Sequence, residues 1–185
     1  MTTIQHGMSK KITIVAATKL ELQPLFNQWQ PKAADFIGLY IANESLHFLI
    51  TGMGMLNTAA HLALYSQQFE RDFYIDAGIC GAFNRSIQIG DVVQISSETY
   101  GDFGVENDEA FQDFFDLGFI DKKEDAFQYG LCTPIESATH SKITLPKATS
   151  ITVNKVHNEK IYQNYYKKNT KQILRKIWKV WRFIM

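Results

Sequence analysis

Apolar residues recur along the chain with two different periods. Continuous apolar runs rich in β-branched residues predict buried strands. The predicted strands are 11–17, 45–51, 72–77, 90–96 and 150–153. Apolar residues at helical spacing predict helices over 18–29 and 57–69. Strand, glycine-rich turn, helix and strand in this order predict an α/β fold, with a mixed, largely parallel central sheet flanked by helices.

A stretch at 102–119 alternates aromatic with acidic residues and fits neither period cleanly. The interpretation that the sequence favours is a solvated acidic helix that buries Phe111, Phe114 and Phe115. An aromatic flap over an apolar group of a ligand is the alternative.

Composition places the chain among globular proteins. It has 185 residues, of which 45% are hydrophobic and 21% are charged, and no apolar run reaches the roughly 20 residues of a membrane helix. The first residues lack the apolar core of a secretory signal. Cys80 and Cys132 stand in no metal or redox spacing, so a reduced, cytoplasmic protein is expected.

The net charge of zero conceals an asymmetry. Residues 1–159 hold 11 Lys and Arg against 19 Asp and Glu, whereas residues 160–185 hold 8 basic residues and no acidic one. So abrupt a change of composition indicates a boundary near residue 158. A basic, Trp-containing amphipathic helix that binds membrane or nucleic acid is one explanation of this tail, since its apolar residues fit helical spacing.

Candidate chemistry lies in three turns that follow predicted strands, at 17–21, 52–57 and 78–83. In open α/β sheets, ligands bind at the carboxyl ends of strands, where glycine lets the backbone approach closely. Glu21 is placed to act as a general base, although an isolated glutamate in a first helical turn is more often an exposed residue that the helix dipole favours. The five histidines have no metal-binding spacing, so neither a metal nor a cofactor is expected.

Five segments occur in an order that one family shows: KITIVAATKLEL, LITGMGMLNTAAHLAL, FYIDAGICGAFNRSIQIGDVVQI, ETYGDFGVE with DLGF, and ITVNKVH. Over residues 11–157 the chain resembles the futalosine hydrolases of the purine nucleoside phosphorylase and nucleosidase superfamily. The acidic GDFGVE and DLGF segments distinguish that family from methylthioadenosine/S-adenosylhomocysteine nucleosidases. The resemblance implies a mixed-sheet α/β domain, homo-oligomeric in the family. It also implies cleavage of futalosine to hypoxanthine and dehypoxanthine futalosine in menaquinone biosynthesis.

The resemblance also implies which residues act. Glu21 matches the glutamate that activates water. The implied substrate-binding residues are Met53, Gly54, Gly78, Ile79, Cys80, Gly81, Phe83, Phe103, Val156 and His157. The implied partner is a small nucleoside, with neither nucleic acid nor membrane involved.

The chain departs from the family after His157. The family continues with a Met-Glu-Gly segment that holds the ribose hydroxyls and with an Asp that protonates the purine, and neither follows here. A change of reading frame explains this loss together with the basic composition. Trp178 is encoded by TGG and Lys179 begins with AA, so the shifted frame reads GAA, a glutamate codon. One permitted shifted reading across 176–183 is Asn-Met-Glu-Gly-Met-Ala-Phe-Tyr.

We therefore expect an incomplete nucleosidase-like domain over 11–157 and an out-of-frame tail over 158–185, and little activity from the 185-residue chain. Two further functions stay open. One is a methylthioadenosine/S-adenosylhomocysteine-type nucleosidase, and the other is a non-catalytic protein that binds nucleosides.

Overall fold

The chain folds as two compact units, one ending at Ile79 and the other beginning at Cys80. The structure, a computed structural model, describes residues 10–84, 86–106, 111–123, 127–128, 130–133, 144–154 and 173–177. For the strands at 127–128 and 173–177 it describes the backbone.

The first unit alternates strands and helices much as the hydrophobic pattern predicts. Its elements are β1 (Ile12–Ala16), a 3₁₀ turn (Lys19–Leu22), α1 (Gln23–Trp29), β2 (Lys32–Ala33), β3 (Leu39–Asn43), β4 (Leu46–Ile50), α2 (Met55–Gln68) and β5 (Phe73–Asp76). The predicted helix over 18–29 is thus two consecutive helical segments, and Pro24 lies in the first turn of α1 as expected. Strands β2 and β3 are absent from the prediction.

These strands form one sheet in the order β2-β3-β4-β1-β5. Strand β1 is parallel to both of its neighbours, pairing Ile14 with Phe48 of β4 and with Ile75 of β5. Strands β2 and β3 add to β4 in antiparallel fashion. The predicted α/β class with a mixed sheet is confirmed.

Helices cover both faces of the central strands, which explains why β1 and β4 are apolar at every position except Thr13 and His47. On one face, Val15 and Leu49 are buried with Tyr65 of α2. On the other face, the next residue of β1 and the preceding residue of β4, Ala16 and Phe48, are buried with residues of the 3₁₀ turn and α1. Because side chains alternate along a strand, burial on both faces requires an apolar residue at nearly every position.

Gly38 fixes the turn that precedes β3. Its φ is 77°, and a Cβ at this position would lie 2.1 Å from the carbonyl oxygen of Ile50. The Gly38 carbonyl in turn accepts a hydrogen bond from the Ile50 amide at 2.8 Å. Only glycine permits both this left-handed conformation and this close approach.

The second unit contains mostly strands. They are β6 (Gly81–Ala82), β7 (Gln94–Tyr100), β8 (Gly104–Glu106), β9 (Phe111–Asp113), β10 (Phe127–Gln128), β11 (Leu131–Cys132), β12 (Lys147–Val153) and β13 (Ile173–Ile177). Six of them form a mixed sheet in the order β10-β11-β7-β12-β13-β6, whereas β8 pairs with β9. The strand predicted at 90–96 begins at Gln94 and continues to Tyr100.

The predicted helix over 102–119 is wrong. Residues 104–106 and 111–113 are antiparallel strands, and a turn follows. At Gly104 the two strands approach so closely that a Cβ would lie 2.2 Å from the Gln112 carbonyl oxygen. Phenylalanine, valine and glycine are poor helix formers, and the i,i+4 spacing of the buried Phe111 and Phe115 misled the prediction, since Phe111 lies in a strand and Phe115 in the turn that follows.

The tail also differs from the helical expectation where the structure describes it. Residues 173–177 form β13, which is parallel to β12 and antiparallel to β6. β-branched isoleucines at both ends of this segment are compatible with a strand. None of the helices that the structure describes is long and apolar enough to cross a membrane.

Candidate active site

Three parallel strands of the first unit end at the same edge of its sheet. The pairing continues past the strands, since the Thr51 amide donates to the Ala16 carbonyl and the Ala77 amide donates to the Val15 carbonyl, each at 2.9 Å. The turns that follow β1, β4 and β5 therefore leave from one edge. They contain Glu21, the pair Met53 and Gly54, and the pair Gly78 and Ile79.

The Glu21 carboxylate joins two of these turns. Its Oε2 accepts hydrogen bonds from the backbone amide of Thr18 at 2.8 Å and from the Thr18 hydroxyl at 3.1 Å. Its Oε1 accepts a hydrogen bond from the backbone amide of Ile79 at 3.3 Å. A Cβ at Gly78 would lie 3.1 Å from Oε1, so a residue with a side chain there would crowd the carboxylate.

The two oxygens of the Glu21 carboxylate have different surroundings. Oε2 takes part in a capping box with Thr18 at the start of the 3₁₀ turn. Oε1 has a single backbone donor and lies beside Gly78, where no side chain intervenes. A half-buried carboxylate fixed in this way is chemically able to accept a proton from water.

The turn after β4 is held by the first turn of α2. Gly52 and Gly54 have φ values of 82° and 100°. The Asn57 side chain donates to the Met53 carbonyl at 2.7 Å, and the Thr58 hydroxyl donates to the Gly54 carbonyl at 3.2 Å. The Met53 side chain is exposed.

Sequence reasoning missed the residues that position the site, namely Thr18, Asn57 and Thr58. A signal was present for Thr18, because Thr-x-x-Glu after a buried strand is the pattern of a capping box. Asn57 and Thr58 act on carbonyl groups four residues earlier, and such contacts have no distinctive sequence pattern.

The remaining predicted site residues do not lie in the first unit. Cys80 is exposed, Gly81 pairs with β13 through Arg175, and Phe83 is half-buried, all in the second unit. Phe103 belongs to an aromatic cluster in that unit, with ring centroids 5.1 Å from Tyr100 and 4.6 Å from Phe114.

The predicted residues Val156 and His157 lie outside the described residues. Within the part of the chain that the structure describes, no three His, Cys, Asp or Glu side chains are arranged to hold a metal ion.

Comparison with solved structures places this fold in a class. The chain superposes on 5'-methylthioadenosine/S-adenosylhomocysteine nucleosidase from Campylobacter jejuni with a TM-score of 0.68 at 17% identity, covering 91% of this chain and 76% of that one. Native futalosine hydrolase of Helicobacter pylori gives a TM-score of 0.66 at 15% identity, covering 92% and 84%. The chain therefore has the nucleosidase fold that these two enzymes share.

Part of the chain is also similar in sequence to a curated nucleosidase. A segment of 95 residues is 36% identical to 5'-methylthioadenosine/S-adenosylhomocysteine nucleosidase of Maridesulfovibrio salexigens, and it covers 48% of this chain and 40% of that relative. The match thus spans well under half of the relative's length. No protein-family model matches the chain.

Proposed function

We propose that the chain derives from a nucleosidase that hydrolyses the N-glycosidic bond of a purine nucleoside. The observation that carries this proposal is the Glu21 carboxylate, fixed by Thr18 and the Ile79 amide at the carboxyl edge of three parallel strands. The same reaction class is supported by the nucleosidases that share this fold and by the one that is 36% identical over 95 residues.

The proposed reaction uses Glu21 as a general base. A water molecule gives one proton to the carboxylate as its oxygen bonds to the anomeric carbon of the ribose. The C–N bond breaks, its electron pair stays with the purine, and the purine is protonated as it leaves. Turn backbone around Gly54 and Gly78 is proposed to contact the nucleoside, and the proton donor to the purine is expected from the frame-restored sequence, since residues 160–185 hold no acidic residue.

Two substrates have support of different kinds. The curated relative and the Campylobacter structure carry the name methylthioadenosine/S-adenosylhomocysteine nucleosidase. The GDFGVE and DLGF segments favour futalosine, and futalosine hydrolase of Helicobacter pylori has the same fold. A nucleoside-binding protein without activity is the third candidate.

Purine release distinguishes these candidates. Hypoxanthine release from futalosine and adenine release from methylthioadenosine are measured for the 185-residue chain and for a frame-restored chain, with equilibrium binding of both nucleosides in parallel.

In whichever chain is active, we expect Glu21→Gln to lower kcat about a hundredfold, the usual scale for a positioned base. Glu70→Gln, at an exposed glutamate of the same unit, is the control and should leave kcat unchanged. A near-unchanged rate for Glu21→Gln would remove Glu21 from the mechanism.

We further propose that the chain self-associates through α2. Six exposed residues form one uncharged face of this helix: Leu56, Ala59, Ala60, Ala63, Leu64 and Gln67. Leu56 is 82% exposed and Leu64 is 55% exposed. The occupant proposed for this face is a second copy, because an uncharged face is complementary to itself and would leave the charges of a charged partner desolvated and unpaired.

Sedimentation measures this association. We expect Leu64→Glu to convert the oligomer to a monomer, since it places a charge in the centre of the face. Gln68→Glu, at an exposed position of the same helix outside the face, should leave the mass unchanged. A monomer in the unsubstituted chain would refute the proposal.

A further inference from the structure

Four side chains form a continuous hydrogen-bonded chain inside the first unit, at the opposite end of the strands from Glu21. The Arg71 Nε–H lies 3.2 Å from Thr13 Oγ1, which lies 2.8 Å from the Tyr65 hydroxyl. The same hydroxyl lies 2.7 Å from Nδ1 of His47. These hydrogen bonds therefore connect α2, through Tyr65, to paired residues of the adjacent strands β1 and β4.

The donors in this chain have one consistent direction. A guanidinium only donates, so Thr13 Oγ1 accepts from Arg71, and the hydrogen of Thr13 is then directed to Tyr65. The hydrogen of Tyr65 is directed to His47, whose Nδ1 acts as the acceptor. This direction requires a neutral His47 that carries its proton on Nε2. The other two amino groups of Arg71 donate to the carbonyls of Glu44 and Ile12 at 3.0 and 2.9 Å.

The surroundings of His47 disfavour a positive charge. His47 is 6% exposed, and Thr13 and Tyr65 are completely buried. The Phe69 ring packs edge-on to the imidazole, with centroids 5.7 Å apart, and Tyr74 of β5 packs against Tyr65. The charge that acts on the imidazole is that of Arg71. Burial, and secondarily this charge, lowers the pKa of His47 to about 4.

We propose that the Arg71–Thr13–Tyr65–His47 chain is an acid-sensitive latch, which holds α2 on the sheet while His47 is neutral and releases it when His47 is protonated. A protonated His47 has a hydrogen on Nδ1 and must donate to Tyr65, while Arg71 still donates from the other end. With donors at both ends, one of the two buried hydroxyl hydrogens, that of Thr13 or that of Tyr65, has no acceptor among the four side chains, and two cations are brought close together.

Release of the latch reaches the candidate site because α2 connects the two ends of the sheet. Tyr65 lies near the end of the helix, and Gly54 with Met53 lies at its beginning. An α2 that leaves the sheet therefore also frees the turn held by Asn57 and Thr58. This inference concerns the packing of the helix and does not depend on the proposed reaction.

Linkage sets the size of the effect. His47 exposed by opening has its ordinary pKa of 6.5, whereas His47 in the closed state has a pKa of about 4. Between these values the open state binds one more proton than the closed state. The population of the open state should therefore rise about tenfold for each unit by which the pH falls from 6.5 to about 4. The closed state is fully favoured above pH 6.5.

Hydrogen exchange of the 185-residue chain tests the latch. Opening constants of the α2 amides, corrected for intrinsic exchange, are measured from pH 7.5 to 4.5. We expect the tenfold rise per pH unit in the unsubstituted chain and no such rise in His47→Gln, which keeps an acceptor for Tyr65 but does not titrate. His61→Gln, at a half-exposed histidine of the same helix, is the matched control and should behave like the unsubstituted chain. An equal pH response in His47→Gln would overturn the proposal.

Imidazole NMR of the unsubstituted chain gives a second measurement, which needs no variant to fold. We expect the Nε2-protonated tautomer of His47 at pH 7.5 and a titration midpoint near 4. A proton on Nδ1 at pH 7.5, or a midpoint close to the ordinary histidine value of 6.5, would also overturn the proposal.

Discussion

Strand β7 of the second unit is buried differently from the central strands of the first unit. In the first, the central strands are buried on both faces, and Phe48, Leu49 and Tyr65 are completely inaccessible to solvent. In the second, all seven residues of β7 are half-buried, although it lies between β11 and β12. A strand buried on both faces has an apolar run that is visible in the sequence, whereas a half-buried one does not.

Polar pairs join β7 to its surroundings in the second unit, beside buried apolar residues of β12 such as Ile151. The Ser97 hydroxyl lies 3.0 Å from the Thr149 hydroxyl across β7 and β12, and the Thr152 hydroxyl donates to the Glu98 carboxylate. The Thr99 hydroxyl donates to the Gly130 carbonyl at 2.8 Å. Cross-strand polar pairs of this kind each contribute roughly 0.2–1 kcal/mol. The comparison teaches that one protein can combine strands held mainly by apolar packing, such as β1 and β4, with a strand such as β7 that polar side-chain hydrogen bonds help to hold.

The largest expected effect is on the rate of purine release and comes from restoring the reading frame of the tail. We predict that restoring the frame near codons 157–161 recreates a Met-Glu-Gly segment followed by an Asp-containing segment. Purine release should then rise by at least about two to four orders of magnitude over the 185-residue chain, the usual contribution of one group that acts on the transition state.

The nucleotide sequence and a side-by-side expression check this prediction. Soluble yield, thermal unfolding and hypoxanthine release are compared between the two chains, and the 185-residue chain should be the less soluble. A shifted frame that stops at once, or a 185-residue chain of comparable activity, would contradict the frame hypothesis.

The next effect contrasts one glycine in each unit. Gly38 and Gly118 have similar φ values, 77° and 72°, but a Cβ would strike the Ile50 carbonyl at Gly38 and would meet nothing within 4 Å at Gly118. We expect Gly38→Ala to lower the free energy of unfolding by about 3 kcal/mol or more. Gly118→Ala should lower it by about 1 kcal/mol, from backbone strain alone. Urea denaturation measures both, and equal losses would show that the contact at Ile50 relaxes freely.

The smallest effect lies in the aromatic cluster of the second unit. Phe119 is 75% exposed and touches Phe114 edge-on, with ring centroids 5.6 Å apart. We expect Phe119→Ala to change the free energy of unfolding by less than about 0.5 kcal/mol, whereas Phe115→Ala, at a buried ring, should cost about 3 kcal/mol. Denaturation of both variants is the measurement. A large loss for Phe119→Ala would mean that this ring is covered in solution.

The elements that the sequence predicted well are those with a local hydrophobic signal. Strand β1 over Ile12–Ala16 and helix α2 over Met55–Gln68 lie within one or two residues of their predicted bounds. The placement of Glu21, Met53 and Gly78 at one sheet edge followed from the same pattern, because parallel strands end together. Their roles in binding and catalysis remain predictions.

The missed elements are those that depend on contacts distant in sequence. Strands β8 and β9 form because Gly104 lets one backbone approach another, and nothing local in the acidic, aromatic segment indicates this contact. The chain from Arg71 to His47 joins residues up to 58 positions apart and has no motif. The segment 11–17 was predicted as a buried strand, but the hydrogen bond that lets its polar Thr13 be completely buried depends on Tyr65, 52 positions away.

The buried chain of Arg71, Thr13, Tyr65 and His47 also constrains how this protein can vary among its descendants. Losing Tyr65 alone would leave an acceptor at His47 and a donor at Thr13 without partners, each at a cost of about 1–3 kcal/mol. Replacing all the partners together by apolar residues of similar shape could be nearly neutral. Substitutions at these positions should therefore be inherited as a set, and a lineage that lost one member would be driven to lose the others.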